Sequence, residues 1–449
     1  MALRSVASLP TCPAMLQAGG RGLPTRKRWR SSLFHLATVR ERKRFRRLLT
    51  PLLPRIGRAS PCLSTGRSCE PPLRSVPAAV PPQPCPDGRV HGHQFTGGMD
   101  SQRHAWVQAH ALAGLVMGSH LMIEPCSRCR SNAVVHQPYS GQHLCGQHLA
   151  SSVRKRSSRE LRLQLELPKD ARHEDGSPYR ILVAVSGGKD SAVLLTMMSD
   201  IIGQRRDVDL IAGCIDEGID GYRAPSLECA RELAGRLGIR FETLSYVTMD
   251  FGRMDEVVAK IPVMGERHDE AKGLMSCSFC GVFRRQTLNT LAQRVGADVI
   301  ALGHNLDDMA QSILMNLQKG EIDRSVRLAP HTQSPIDGIA PRIVPLRWIP
   351  EQEIHAHAIQ SGLPFHHGEC PHAPGAMRQQ SRAVVAGMES QTPGARHGLL
   401  HSIDQIRGLH QKAYPKAKNE VNRCVECHEI TSKDVCQACT MRQWLEEIS

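Results

Sequence analysis

Apolar and polar positions fall into alternating blocks between residues 181 and 317. Four short runs, 181–185, 210–215, 241–245 and 299–302, are rich in apolar and β-forming residues. Such runs predict strands. Four longer stretches, 191–202, 226–237, 283–295 and 307–317, carry the helical period. Strand followed by helix, repeated, predicts an α/β fold with a doubly wound parallel sheet. Ligands of such sheets sit at the carboxyl ends of the strands, so the chemistry is sought there.

The first strand runs into Ser186-Gly187-Gly188-Lys189-Asp190-Ser191. Adjacent glycines let backbone approach an anion, and the following helix offers unpaired N–H groups. Ser186 and Ser191 add hydroxyls and Lys189 a cation, so the loop reads as a phosphate site. The bland reading is an ordinary glycine turn between strand and helix. The loop is too short for the GxxxxGK[ST] pattern. Asp216-Glu217-Gly218 ends the second strand, where the two acids meet a nucleotide's ribose or adenine side, or Asp216 equally serves as a turn or cap residue. Gly303-His304-Asn305-Leu306-Asp307-Asp308 ends the fourth strand. Its two carboxylates either cap the next helix or point at magnesium or the reacting base.

Charge changes the picture at the N-terminus only. The 449 residues carry a net +14, and length allows two or three domains. Residues 1–121 hold 18 Lys/Arg against 4 Asp/Glu, while residues 122–449 hold 39 of each sign. The global basicity therefore belongs to the extension, and any nucleic-acid surface elsewhere is a local patch. The extension is arginine-dense over 21–47 and has ten prolines over 51–86, a poor basis for a core. It reads as a targeting peptide, a disordered basic tail, or translation from an upstream start. The last is preferred, with Met122 as initiator, because the first recognisable module begins just after it. No window approaches eighteen uninterrupted apolar residues, so no membrane span is expected.

Sixteen cysteines supply the candidate chemistry. Cys12, Cys62, Cys69 and Cys85 are scattered in the extension, but most others form CxxC pairs. That usage suits metal binding in a reducing cytosol. Cys126 and Cys129 with Cys145 and His148 form two knuckles suited to tetrahedral zinc, with His143 as an alternative to His148. Cys424, Cys427, Cys436 and Cys439 form a second zinc pattern. Around the first module lie Arg128, Arg130, Arg154, Lys155, Arg156, Arg159 and Arg162, either a solvated face or phosphate contacts. Before the second lie a turn-rich loop, Pro393-Gly394-Ala395-Arg396-His397-Gly398, and Arg407, Lys412, Lys416, Lys418 and Arg423. A third CxxC, Cys277 and Cys280, opens a helix carrying Arg284 and Arg285, which favours thiolates. Cys370, in Gly368-Glu369-Cys370-Pro371-His372, is the candidate partner. Three thiolates can hold a [4Fe–4S] cluster and leave one iron open, although clusters normally take four.

SGGKDS resembles the pyrophosphate loop of the N-type ATP pyrophosphatases. With CSRC, CGQH, CSFCG, GHNLDD, the ECPHA cysteine, PGARHG, CVEC and CQAC, the chain over 122–449 resembles the tRNA 2-thiouridine synthetases. The expected organisation is an extension at 1–121, a zinc module and basic linker at 122–165, a catalytic domain at 166–395, and a second linker and zinc module at 396–449. The resemblance implies ATP and Mg2+ on the Ser186–Ser191 loop, with Asp216, Gly303 and His304 beside the nucleotide. A tRNA uridine C2 oxygen is adenylated, and a sulfur species displaces AMP. It implies [4Fe–4S] on Cys277, Cys280 and Cys370, a basic role for Arg284, and a catalytic acid at Asp308 rather than Asp307. Two Zn2+ modules would orient tRNA. The sulfur donor would be a ubiquitin-like thiocarboxylate protein or sulfide, the state a homodimer, the compartment the cytoplasm. Three alternatives stand beside this: a persulfide route without a cluster, a lysidine or 2-thiocytidine synthetase, and a non-catalytic zinc-containing nucleic-acid-binding protein.

Overall fold

Two short antiparallel strands, β1 (Val135–Gln137) and β2 (Gln142–Leu144), lead into helix α1 (Gly146–Gln164). The computed structural model describes residues 124–332, 339–375, 377–414 and 422–448. The basic extension with its four cysteines lies outside them, as do Lys416 and Lys418. Next come β3 (Tyr179–Ala184), α2 (Lys189–Ile202), β4 (Val208–Asp216), α3 (Arg223–Arg236) and β5 (Arg240–Ser245). Then follow α4 (Met254–Arg267), α5 (Ser276–Val295), β6 (Val299–Ala301), α6 (Leu306–Gln318) and the single turn α7 (Ile322–Val326). A two-residue strand β7 (Arg342–Ile343) precedes helices α8 (Glu351–Gln360), α9 (Met377–Gln391) and α10 (Ala395–Ala413). The chain closes with β8 (Asn422–Arg423), β9 (Ile430–Thr431) and α11 (Gln437–Glu446).

The central sheet has the order β5-β4-β3-β6-β7, every pair parallel. Strand order reverses between β3 and β6, so the crevice beyond their carboxyl ends is the topological switch point. Both SGGKDS and GHNLDD open there. Side chains alternate across β3: Ile181 and Val183 pack with α1, α2 and α8, and Leu182 packs with α4, α5 and the C-terminal module. Burial on both faces is why the run carries no polar alternation. The two cysteine modules consequently lie against opposite faces of the sheet. Among the described residues, no helix is long and apolar enough to cross a membrane.

The predicted strands and helices are present with shifted ends, and helices α1, α4 and α7–α11 and strands β1, β2, β7, β8 and β9 join them. β7 is a fifth strand, too short to leave a sequence signal. Helix α5 starts at Ser276, and Cys277 and Cys280 lie in its opening turns as the third CxxC predicts. PGARHG is not a loop throughout: Gly394 (φ 96°) turns the chain and Ala395 begins α10. The Glu389 carboxylate accepts the Gly394 and Arg396 N–H groups at 2.9 and 3.0 Å, which fixes that helix start.

Two of the expected phosphate contacts are structural. Arg156 ion-pairs with the buried Glu353 of α8 and donates to the Tyr139 hydroxyl at 3.1 Å. Gln137 and Tyr139 donate to the same carboxylate at 2.8 and 2.7 Å. Arg407 donates to the Val326 and Leu328 carbonyls at 2.9 and 2.7 Å. Arg156→Ala leaves Glu353 buried without its cation. Urea denaturation is expected to show a loss of about 3 kcal/mol; an unchanged midpoint would return Arg156 to the surface patch.

Candidate nucleotide and metal site

The loop after β3 is shaped by one close approach. Gly187 has φ +81°, and a Cβ there would fall 1.7 Å from the Ser226 carbonyl oxygen. Only glycine meets both conditions. The Ser191 hydroxyl donates to the Gly188 carbonyl at 2.9 Å and accepts the Ser186 N–H at 3.1 Å, closing the turn. Lys189 Nζ lies 3.0 Å from Asp190 Oδ2 and 2.8 Å from Glu351 Oε1. Arg382 also grips Glu351, at 2.6 and 2.7 Å. Burial pushes the Asp190 carboxyl up and the Asp308 charge adds to it, while Lys189 and Asn305 oppose.

Asn305 is the hinge between the two loops. Its Nδ2 donates to Asp190 Oδ1 at 2.9 Å, and its Oδ1 accepts the Asp308 N–H at 3.0 Å, capping α6. Gly303 lies against Asp190 and Ser191, where a Cβ would sit 3.4 Å from their backbone. His304 stands among the charges of Asp308, Arg378, Asp190 and Arg342. Asp307 is fully engaged, by Arg396 at 2.6 Å and the Glu351 N–H at 2.8 Å. Asp308 shares one oxygen with the cap and meets the exposed Arg378 with the other at 3.0 Å. It is the more accessible of the pair. Asp216 Oδ1 accepts the Gly218 N–H at 3.0 Å, the turn role weighed for it.

A strap over residues 365–373 joins this loop to the third CxxC. The His366 N–H donates to the Gly187 carbonyl at 2.8 Å. Six residues on, the Ser276 hydroxyl donates to the His372 carbonyl at 2.7 Å, and His372 Nε2 meets Asp255 at 2.6 Å. The strap brings Cys370 to the same core cluster as Cys280 and into the field of Cys280 and Cys277: burial pushes its thiol up and their charges add to that, while the His372 N–H opposes. Cys277 is exposed and Cys280 half-buried. Arg284 Nη2 lies 3.3 Å from Cys280 Sγ. Arg285 stands outside this contact, in the field of Arg324 and Arg342.

The other two cysteine sets are tighter. The ligand atoms of Cys126, Cys129, Cys145 and His148 all lie within 4.8 Å of one another, as do those of Cys424, Cys427, Cys436 and Cys439. Each group fits a single tetrahedral zinc. His148 points Nδ1 at Cys126 and Cys145, at 3.4 and 3.3 Å, whereas His143 stacks on His136 instead. Burial opposes ionisation of Cys126 and Cys424, yet backbone N–H groups hold both thiols down to about 6. The Cys277, Cys280 and Cys370 sulfurs do not close to that spacing among the described residues. Three thiols are the donor chemistry of an iron–sulfur group with one iron left open. Sequence reasoning missed Arg223, Glu351, Arg378 and Arg382, which come from helices distant in the chain.

A twisted parallel sheet with a short glycine loop at its switch point defines a PP-loop nucleotide-binding protein. The PP-loop domain family matches residues 161–385, and the N-terminal LIM domain of 2-thiouridine synthetase TtuA matches residues 126–150. The tRNA 2-thiolation protein NcsA of Haloferax volcanii is 36% identical over 334 residues, 72% of this chain and 99% of that protein. Cytoplasmic tRNA 2-thiolation protein 1 of Chlamydomonas reinhardtii is 33% identical over 326 residues, 71% of this chain and 84% of that one. The solved U34-tRNA thiolase NcsA of Methanococcus maripaludis, with its [4Fe–4S] cluster, superposes with a TM-score of 0.56 at 25% identity, over 72% of this chain and 97% of that chain. The chain belongs to the PP-loop tRNA 2-thiolation proteins.

Proposed function

We propose that this protein replaces the C2 oxygen of a tRNA uridine with sulfur in the cytoplasm, using ATP. The observation that carries this reading is the strap: one segment touches the nucleotide loop at Gly187 and delivers Cys370 to Cys277 and Cys280. Nucleotide and sulfur chemistry thus share one crevice.

The residues divide the work. Backbone N–H groups of Gly187 and Gly188 and the Lys189 ammonium receive the pyrophosphate. Asp190 and Asp308 carry oxygens that repel each other and suit a hard Mg2+ ion. The uridine O2 attacks the α-phosphorus, pyrophosphate leaves, and sulfur then adds at C2 as AMP departs with the former O2. Arg284, beside Cys280 and open on its other side, is placed to neutralise charge near the incoming sulfur. Cys277, Cys280 and Cys370 would hold a [4Fe–4S] cluster, which would supply the site for that sulfur. The two four-ligand groups would each hold a zinc ion. The catalytic unit spans 166–395 between these modules, works as a homodimer, and takes sulfur from sulfide or a ubiquitin-like thiocarboxylate protein.

Nucleoside mass spectrometry of tRNA incubated with the protein, ATP, Mg2+ and sulfide tests the reading. 2-Thiouridine is expected; 2-thiocytidine, lysidine or no product would overturn it. The exposed cations of α1 supply the RNA contacts. Arg154→Ala with Arg159→Ala is expected to reduce the slope of log affinity against log salt by about two. An unchanged slope would remove this face from the tRNA path.

A further inference from the structure

A continuous line of charged side chains runs from the nucleotide loop to Cys280. Arg223, the first residue of α3, donates Nη1 to the Ser186 carbonyl at 2.9 Å. Its Nη2 meets Cys214 Sγ at 2.7 Å, and Nη1 also donates to Ser226 Oγ at 3.2 Å. Its Nε pairs with Glu217 Oε2 at 2.9 Å. The other oxygen, Oε1, accepts Arg284 Nε at 2.9 Å. Arg284 Nη2 then reaches Cys280 Sγ at 3.3 Å.

Burial makes the middle of this line rigid. Glu217 and Arg223 are 3% and 4% exposed. Glu217 is also fixed through its main chain, whose carbonyl accepts the Met254 N–H at 2.8 Å. Arg284, by contrast, has a side chain 53% exposed. An arginine that open has many rotamers, and the carboxylate is what selects the one touching sulfur. The same carboxylate keeps two guanidinium groups from repelling each other. It is therefore not a nucleotide-facing acid, although it follows Asp216 at the strand end.

We propose that Glu217 is a positioning residue: it fixes the Arg284 guanidinium on the Cys280 sulfur and ties that placement, through Arg223, to the Ser186 carbonyl of the nucleotide loop. Phosphate binding that shifts the loop carbonyl then moves the cation at the sulfur centre. This inference rests on the thiolation site proposed above.

The test follows Cys280 itself. The full chain, prepared anaerobically without iron, is alkylated with iodoacetamide with and without a non-hydrolysable ATP analogue and Mg2+, and the Cys280 peptide is quantified. In the wild type the analogue is expected to change the alkylation rate by about fivefold. In Glu217→Gln the analogue binds with affinity within about twofold, and the change disappears. Glu217→Asp keeps the charge but withdraws the carboxylate, and carries the same criterion should Glu217→Gln fail to fold. On thiolation, Glu217→Gln is expected to lower kcat about tenfold with the KM for ATP unchanged, and to add nothing to Arg284→Ala. A wild type whose Cys280 ignores nucleotide, a folded variant that still responds, or losses that multiply in the double variant would each overturn the proposal. Absence of 2-thiouridine with the alkylation pattern intact would sink the function and spare the relay.

Discussion

Lys189→Ala is expected to lower ATP–pyrophosphate exchange by about a thousandfold, with zinc content unchanged. The ammonium belongs to the first residue of α2, directly after Gly188, where helix N–H groups already favour an anion. It pairs with Asp190 and Glu351. Glu351 keeps a second partner in Arg382, so Lys189 can turn to phosphate without stranding a carboxylate. Alanine removes that cation from the one place where charge develops on the leaving pyrophosphate. The substitution leaves Asp190 bonded to Asn305 and Glu351 to Arg382, so the fold should stand. Exchange at the wild-type rate would mean that the phosphates bind elsewhere.

Cys370→Ala is expected to abolish iron binding and thiolation while leaving both zinc ions in place. Anaerobically purified wild type should carry about four iron and four sulfide, together with one zinc for each four-ligand group. Cys370 lies on the strap, and its neighbours Ser276, His372 and Asp255 pin that strap whether or not the thiol is present. The loss would therefore report ligation, not collapse. Its four-ligand neighbours share no sulfur with this group, so zinc acts as an internal control. Wild type that takes up no iron even after reconstitution would move the sulfur to a persulfide on Cys277, Cys280 or Cys370. The pyrophosphate loop would be unaffected by that result.

Much of the fold is legible because burial on both faces leaves a mark in the sequence. The strand through Leu182 is an unbroken apolar run for that reason. β7 left none, since two paired residues have no period. Helix α4 was hidden by Pro262 within it. The two four-residue Cys and Cys/His groupings were legible from spacing, because their members are local in pairs. The charged surroundings of the nucleotide loop were not. Glu351 is 162 residues from Lys189, and Arg284 is 67 from Glu217. Nothing in either segment announces its partner. Glu217 was read with Asp216 as one acidic pair, yet adjacent strand-end residues point apart: one closes a turn and the other is buried between arginines.

The two glycines of the loop carry unequal information. At Gly187 the Ser226 carbonyl and a positive φ exclude any side chain whether or not nucleotide binds. At Gly188 φ is −86°, and an added Cβ would meet nothing nearer than 3.5 Å. Nothing among the described residues of the protein itself forbids a side chain there. A decayed descendant that keeps this architecture but has abandoned ATP is therefore free to lose the second glycine, and must retain the first.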